Sequence, residues 1–228
     1  MNVNRRFVLK GIVLGGAAGV VLGRAVPVLG DVAPSPAHCD VRPALALVGH
    51  GTTESAFLQG ARAAVGTRLP VQQVGTDLGF MLDLERRLRA GRPMRVIGLL
   101  DDAAAVLVLD LARSAGARIH WLGQHTADSG TTRHRLLNTD LAEGCARQLS
   151  RQLHACGTGF TLNEERQGST APARQLVGPA RNGARSAQWA YSVGYLLASL
   201  GTRPTMAPRG TAQSNPFGGS FVSFSIEA

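Results

Sequence analysis

The sequence predicts an α/β fold with an open, mostly parallel sheet and helices on both faces. Short apolar runs rich in Val, Ile and Leu alternate with helical segments between Ala44 and Leu122. The apolar runs lack polar alternation, which is typical of strands that are buried on both faces. Strands that alternate with helices in this way favour a parallel sheet with right-handed crossovers.

The first two strand–helix units are predicted from apolar runs and helical periodicity. Residues 44–49 form a continuous apolar run that ends in glycine, and a helix is predicted over 53–65. A weaker strand is predicted over 70–74. Residues 77–90 predict an amphipathic helix, because apolar residues lie on one side and acidic residues precede arginines by four on the other.

The third unit completes the predicted parallel sheet. Residues 95–100 predict a strand, and 103–115 predict a helix that Asp101 or Asp102 can cap. Residues 118–122 predict the fourth strand. We expect the common strand order 2-1-3-4, as in Rossmann-like or flavodoxin-like sheets.

The pattern changes after Gly123. Residues 124–140 are predicted to be a long loop, and such a loop in a compact domain is a candidate lid or binding loop. Residues 157–184 are predicted to be mostly irregular, with Glu164 to Arg166 in a surface turn. The other predicted elements are a helix over 141–155, a strand over 159–162, a helix over 185–200 and a strand over 220–226 that alternates like an edge strand.

The amino-terminal segment carries a second signal. Arg5 and Arg6 are followed by apolar residues and Lys10, and then by a Gly-rich, moderately hydrophobic stretch over 11–23. This segment resembles a twin-arginine (Tat) signal peptide, although Val8 stands where that family favours Phe. The resemblance implies export by the Tat translocase, folding before export and a periplasmic location. If the leader stayed uncleaved, it would tether the protein to the membrane.

The chain therefore divides into a leader and one domain. Residues 1–37 are predicted to be the signal peptide and 38–228 a single α/β domain. Within that domain, 44–200 is predicted to be the core and 201–228 a Pro- and Gly-rich tail. Small residues at the appropriate offsets make Ala25 and Ala37 both candidate last residues of the leader.

The charge pattern argues against nucleic acid as a partner. The formal net charge is +9, but beyond the leader the arginines are scattered, with no run longer than Arg86-Arg87 and no interleaved aromatic residues.

The three cysteines are Cys39, Cys145 and Cys156. Cys145 and Cys156 are too far apart on one helix to bond to each other, so either Cys39 pairs with one of them or the thiols are unpaired.

Polar side chains follow every predicted strand at its carboxyl end. In open parallel sheets this edge is where ligands bind. We therefore predict a candidate ligand site from the residues that follow the four strands, namely His50, Gly51, Thr52, Thr53, Asp77, Asp101, Asp102 and His125.

Two chemistries suit this edge. His50, Asp101, Asp102 and His125 offer the nitrogen and oxygen ligands of a divalent metal such as zinc, which would activate water for hydrolysis. Alternatively, the backbone N–H groups of residues 51–53 would bind a small anion. A purely structural role for the same residues, as helix caps and loop histidines, is the third interpretation.

The sequence favours a binding or accessory function over catalysis. The leader indicates export, and no P-loop, GxGxxG, HExxH or GxSxG motif accompanies it. We expect a periplasmic binding or accessory subunit without chemistry of its own, with a partner enzyme or a small anionic ligand. The alternative is a metal-assisted hydrolase at the strand ends, so the sequence leaves open whether the protein is an enzyme.

Overall fold

A computed structural model describes most of the chain beyond residue 42. The described residues are 43–49, 56–75, 77–128, 131–139, 142, 144–168, 170, 172–181, 188–202 and 219–228. In chain order, the elements are β1 (Pro43–Val48), α1 (Ala56–Val65), β2 (Val71–Gln73), α2 (Leu78–Arg89), β3 (Arg95–Asp101), α3 (Asp102–Ser114), β4 (Arg118–Asp128), β5 (Thr131–Asn138), α4 (Cys145–Ala155), β6 (Gly159–Arg166), β7 (Arg174–Gly178), α5 (Gln188–Ala198) and β8 (Gly219–Glu227).

The strands form one eight-stranded sheet in the order β2-β1-β3-β8-β4-β5-β6-β7. β1 pairs in parallel with both β2 and β3. β8 is antiparallel to β3 and to β4, so β4 runs in the same sense as the first three strands. β5 and β6 run in the opposite sense to β4, and β7 is antiparallel to β6.

The α/β class with helices on both faces is confirmed. α1, α4 and α5 share a buried apolar cluster with one face of the sheet, which we call the α5 face. α2 and α3 share a second cluster with the opposite face, the α3 face. The first strands are parallel as predicted, and the antiparallel pairings of β8, β5 and β7 make the whole sheet mixed.

The four predicted strands follow the order 2-1-3-4, but β8 lies between β3 and β4, so these two strands are not neighbours. Residues 220–226 were expected to form an edge strand, since serine alternates with Val, Phe and Ile there. In the structure Ser223 and Ser225 are buried on the α5 face, while Val222, Phe224 and Ile226 are buried on the α3 face. Both faces of the strand are buried, so the alternation of serine with apolar residues does not mark a solvent-exposed face.

The predicted loop over 124–140 is also wrong. β4 continues to Asp128 and pairs with β5, which begins at Thr131. The residues of β5 alternate strictly between exposed and buried. The buried ones include the polar residues Thr132, His134 and Asn138, so an apolar-run criterion overlooks the strand.

The irregular region predicted over 157–184 contains two strands. The strand expected at 159–162 extends through Arg166 as β6, so Glu164 to Arg166 do not form a surface turn. The Glu164 carboxylate accepts a hydrogen bond of 3.0 Å from the Asn138 side chain on β5. The predicted helices over 53–65, 141–155 and 185–200 are represented by α1, α4 and α5.

Two glycines allow α1 and α5 to pack at very short range. A Cβ added to Gly60 would overlap the carbonyl oxygen of Tyr191, and one added to Gly194 would overlap that of Phe57. The backbones of the two helices therefore touch, which places Trp189 of α5 directly over the sheet. None of the helices in the described residues is long and apolar enough to span a membrane. The predicted leader with Arg5 and Arg6 lies outside those residues.

Candidate functional site

The predicted site at the carboxyl ends of the strands is only partly within the described residues. His50, Gly51, Thr52 and Thr53 lie outside them. The strand that precedes these four residues is β1, and it is parallel to β3 as the prediction required. The anion-binding hypothesis for residues 51–53 stays a prediction.

The carboxylates at this edge cap helices. Asp77 accepts a hydrogen bond of 2.8 Å from the backbone N–H of Phe80 at the start of α2. Asp101 accepts one of 2.9 Å from the N–H of Ala104 at the start of α3. Asp102 is exposed in the first turn of α3, where a negative charge favours the helix dipole. Asp101, rather than Asp102, is therefore the cap of this helix.

His125 does not lie at a strand end. It is in the middle of β4 and is buried on the α5 face. Phe221 of β8 pairs in register with Asp101 on one side and with His125 on the other. Two strand spacings, about 10 Å, therefore separate the Asp101 and His125 backbones. Zinc ligands lie about 2 Å from their ion, so the structure does not bring these two predicted ligands together.

The structure instead pairs His125 with a histidine that the sequence placed in a loop. The Nδ1 atoms of His125 and His134 are 2.8 Å apart. His125 Nε2 is 2.7 Å from the Ser223 hydroxyl, and His134 Nε2 is 2.9 Å from the Thr132 hydroxyl. This group, which we call the histidine pair, links the three adjacent strands β8, β4 and β5 beneath α5.

One set of donor and acceptor roles satisfies all the hydrogen bonds of the histidine pair. The Trp121 indole donates to the Ser223 oxygen at 2.8 Å, so the Ser223 proton is available for His125 Nε2. His125 then carries its proton on Nδ1 and donates to His134 Nδ1. His134 carries its proton on Nε2 and donates to Thr132, whose hydroxyl reaches a backbone carbonyl of β6. In this arrangement both imidazoles are neutral, and every ring nitrogen has a partner.

Burial keeps both rings uncharged. Desolvation lowers the pKa of His134 to about 3. Desolvation, and then the proximity of His134, lowers the pKa of His125 well below its ordinary value. The Trp189 ring lies over the pair, with its centroid 5.1 Å from that of His125 and 5.8 Å from that of His134. An indole and a backbone carbonyl terminate the chain of bonds, and neither exchanges protons at neutral pH, so this arrangement joins strands rather than relaying protons.

A metal site within the described residues has no further candidates. No group of three or more His, Cys, Asp or Glu side chains with metal-binding geometry occurs in that part of the chain. Cys145 begins α4 and Cys156 follows its end, so the two are not bonded to each other, as expected. Burial, and then the nearby Glu164, raises the pKa of the Cys145 thiol to about 12. This thiol is therefore protonated and weakly nucleophilic.

The outer surface of α2 and α3 carries large apolar side chains. Leu78 is 71% exposed, Val106 56%, and Leu82 and Leu107 are each 49% exposed. All four lie in the first two turns of their helices. The helices are neighbours, since Arg89 near the end of α2 donates to a carbonyl oxygen at the end of α3. We call these four residues the α2–α3 apolar surface.

Comparison with known proteins adds no relative. No protein-family model, curated protein or solved structure matches this chain.

Proposed function

We propose that this chain is a Tat-exported periplasmic accessory subunit without chemistry of its own, which binds a partner protein through the α2–α3 apolar surface. The exposure of that surface is the observation that carries the proposal. Four large apolar side chains are exposed in the first two turns of two neighbouring helices, and exposed apolar surface of this kind is typical of interaction sites. The export part of the proposal rests on Arg5, Arg6 and the apolar stretch that follows them.

The surroundings of the apolar surface favour a protein as the occupant. Acidic and basic residues border it along α2, where Asp83 pairs with Arg87 at 2.7 Å and Glu85 pairs with Arg89 at 2.8 Å. An apolar centre with a polar, charged rim is the usual anatomy of a protein–protein interface.

The strand-end carboxylates support a role without catalysis. Asp77 and Asp101 each accept a hydrogen bond from the N–H groups at the start of a helix, and this role accounts for the presence of an aspartate at each position. The histidine pair is likewise engaged within the protein. These groups stabilise the fold and so provide the scaffold on which a binding surface rests.

Export is tested in cells by replacing both arginines of the leader. Arg5→Lys together with Arg6→Lys keeps the charge but removes the guanidinium pair that the Tat signal requires. We expect the wild-type chain in the periplasmic fraction and the double variant in the cytoplasm. Periplasmic accumulation of the double variant would contradict Tat export.

Partner binding is tested with a photo-crosslinking amino acid placed at Leu82. The matched position is Gln59, which is exposed on α1 at the opposite face of the sheet. We expect a discrete crosslinked species from position 82 in the exporting cell, none from position 59, and loss of the species when Val106→Glu is added. Crosslinking from both positions alike, from neither, or only to a second copy of the chain would contradict the accessory role.

A further inference from the structure

A cleft of about 570 Å³ opens at the edge of the sheet opposite the predicted site. It lies where β4 begins and where β5 and β6 end, beside the carboxyl-terminal end of α3. This placement follows from the antiparallel pairing of β4 and β5, which brings Thr139 next to His120. The volume falls within the range of small-molecule sites, about 300–1,000 Å³.

Five of the seven residues that line the cleft are polar or positively charged. Arg118, His120 and Arg113 contribute two guanidinium groups and an imidazole, and Thr139 and Gln167 contribute a hydroxyl and an amide. Among the described residues, no carboxylate pairs with Arg118, whereas Arg113 pairs with Asp110 at 2.9 Å on an exposed helix face. Ala117 and Ile119 supply an apolar wall.

His120 is oriented toward the cleft by two partners. Its Nε2 is 3.1 Å from the Glu227 carboxylate, and its Nδ1 is 3.1 Å from the Thr139 hydroxyl. The charges that act on the ring are Glu227 of β8, Arg95 of β3 and Arg118 of β4. A single carboxylate thus faces two guanidinium groups at this point, so the local charge balance favours an anion.

The end of α3 does not offset this balance with open carbonyl groups. The carbonyls of Leu111, Ala112 and Arg113 accept backbone hydrogen bonds from the turn that follows the helix. The Ser114 carbonyl accepts one from Arg89. The last carbonyl groups of α3 therefore have hydrogen-bond partners within the protein and do not point unpaired into the cleft.

We propose that this cleft binds a small organic anion whose carboxylate or phosphate group is held by Arg118, with the Gln167 amide as a further polar contact and His120 lining the cleft beside them. A guanidinium group matches the two oxygens of a carboxylate or phosphate. The wall formed by Ala117 and Ile119 accommodates the apolar body of the ligand. The site lies on a different edge from the strand-end residues and on different side chains from the α2–α3 apolar surface, so it does not depend on the proposed function.

The test is a titration of the full chain, labelled at histidine, with succinate and with glycerol 3-phosphate. Succinamide and glycerol are the matched neutral probes. We expect saturable shifts of the His120 ring signals with one or both anions and none with the neutral probes. No response to either anion at millimolar concentration, or an equal response to the neutral probes, would overturn the proposal.

Variants separate the cleft from general attraction of anions to a basic protein. We expect Arg118→Gln to weaken anion binding about tenfold or more, corresponding to about 1.4 kcal/mol or more. Arg133→Gln removes an exposed arginine near the other end of β5 and is the control, with unchanged affinity expected. If both variants lost the same amount of affinity for the anion, the net charge of the protein would explain the binding, and a specific site would be contradicted. The thermal midpoint of each variant verifies that the fold is intact, which is expected because Arg118 is exposed.

Discussion

Acid is expected to destabilise this fold through the histidine pair. In the folded protein His125 and His134 are buried and neutral, and burial lowers the pKa of both side chains. In the unfolded chain an imidazole has a pKa of about 6.5. Below that pH the unfolded chain binds more protons than the folded protein, so the free energy of unfolding falls as the pH falls.

The size of the effect follows from the shifted pKa values. Once the pH is well below 6.5, each neutral buried histidine lowers the free energy of unfolding by about 1.4 kcal/mol per pH unit. For His134 this continues until the pH approaches its folded pKa of about 3. Between pH 6.5 and 4.5 the lowered pKa of His134 costs about 2.3 kcal/mol, and the lowered pKa of His125 adds to this loss. A typical domain has a total stability of about 5–15 kcal/mol, so the loss is a large part of it.

The assay is urea denaturation at a series of pH values, followed by tryptophan fluorescence. Trp121 and Trp189 are both fully buried beside the histidine pair, so their emission reports its exposure. His134→Gln keeps one acceptor and one donor for the two neighbours of His134 but removes the titration. We expect its free energy of unfolding to fall less steeply with acid, by about 1.4 kcal/mol per pH unit.

A matched variant distinguishes this effect from general acid titration. Gln59→Ala changes an exposed residue of α1 that carries no titrating group, and its slope should equal that of the wild type. If His134→Gln also showed the wild-type slope between about pH 4.5 and 6.5, the acid sensitivity would arise elsewhere. The reasoning from burial would then be refuted.

Three further predictions concern packing, capping and thiol reactivity. Gly194→Ala should lower the free energy of unfolding by about 1–3 kcal/mol, because the new methyl group would overlap the Phe57 carbonyl. Gln59→Ala, on the exposed side of α1, should change it little. Equal urea midpoints for the two variants would contradict the close contact between α1 and α5. Asp101→Ala should cost about 1 kcal/mol and Asp101→Ser much less, because serine can also cap α3; equal losses in thermal unfolding would show that the carboxylate has another role. Cys145 should react with iodoacetamide about a thousandfold more slowly in the native protein than in urea, and comparable rates measured by mass spectrometry would contradict the raised pKa of the thiol.

The parallel part of the fold could be predicted from the sequence because each of its elements has a local signature. β1 and β3 are buried on both faces and therefore appear as unbroken apolar runs. The predicted ion pairs between residues four apart on α2 are present, and Asp77 caps that helix. Local periodicity and capping were sufficient here, since neighbouring elements in the chain are also neighbours in space.

The antiparallel part could not be predicted from the same signals. On β5 the buried positions include threonine, histidine and asparagine, which become acceptable in the interior only after β4 and β6 supply their hydrogen-bond partners. The partners on β6 are 26 and 27 residues away in sequence. Ser223, which in turn bonds Trp121 and His125 of β4, is 102 and 98 residues from them.

The candidate site was predicted in part for the same reason. The position of Asp101 at the end of β3 is local information, and it was placed correctly. The surroundings of His125 depend on β8. Phe221 of that strand lies between Asp101 and His125, where a shared metal site was expected. The signal that could have revealed the histidine pair is the alternation of residues 131–138, if polar residues had been allowed on its buried side.

The location of β8 has a consequence for how the protein is made. Until that strand emerges from the ribosome, β3 and β4 have no hydrogen-bonded link, and the sheet exists at most as two halves with exposed inner edges. Closure therefore waits for a segment made about a hundred residues after β4, and such distant pairing slows folding. During synthesis the unpaired inner edges of β3 and β4 are therefore open to pairing with other chains, and the sheet closes only when β8 is added.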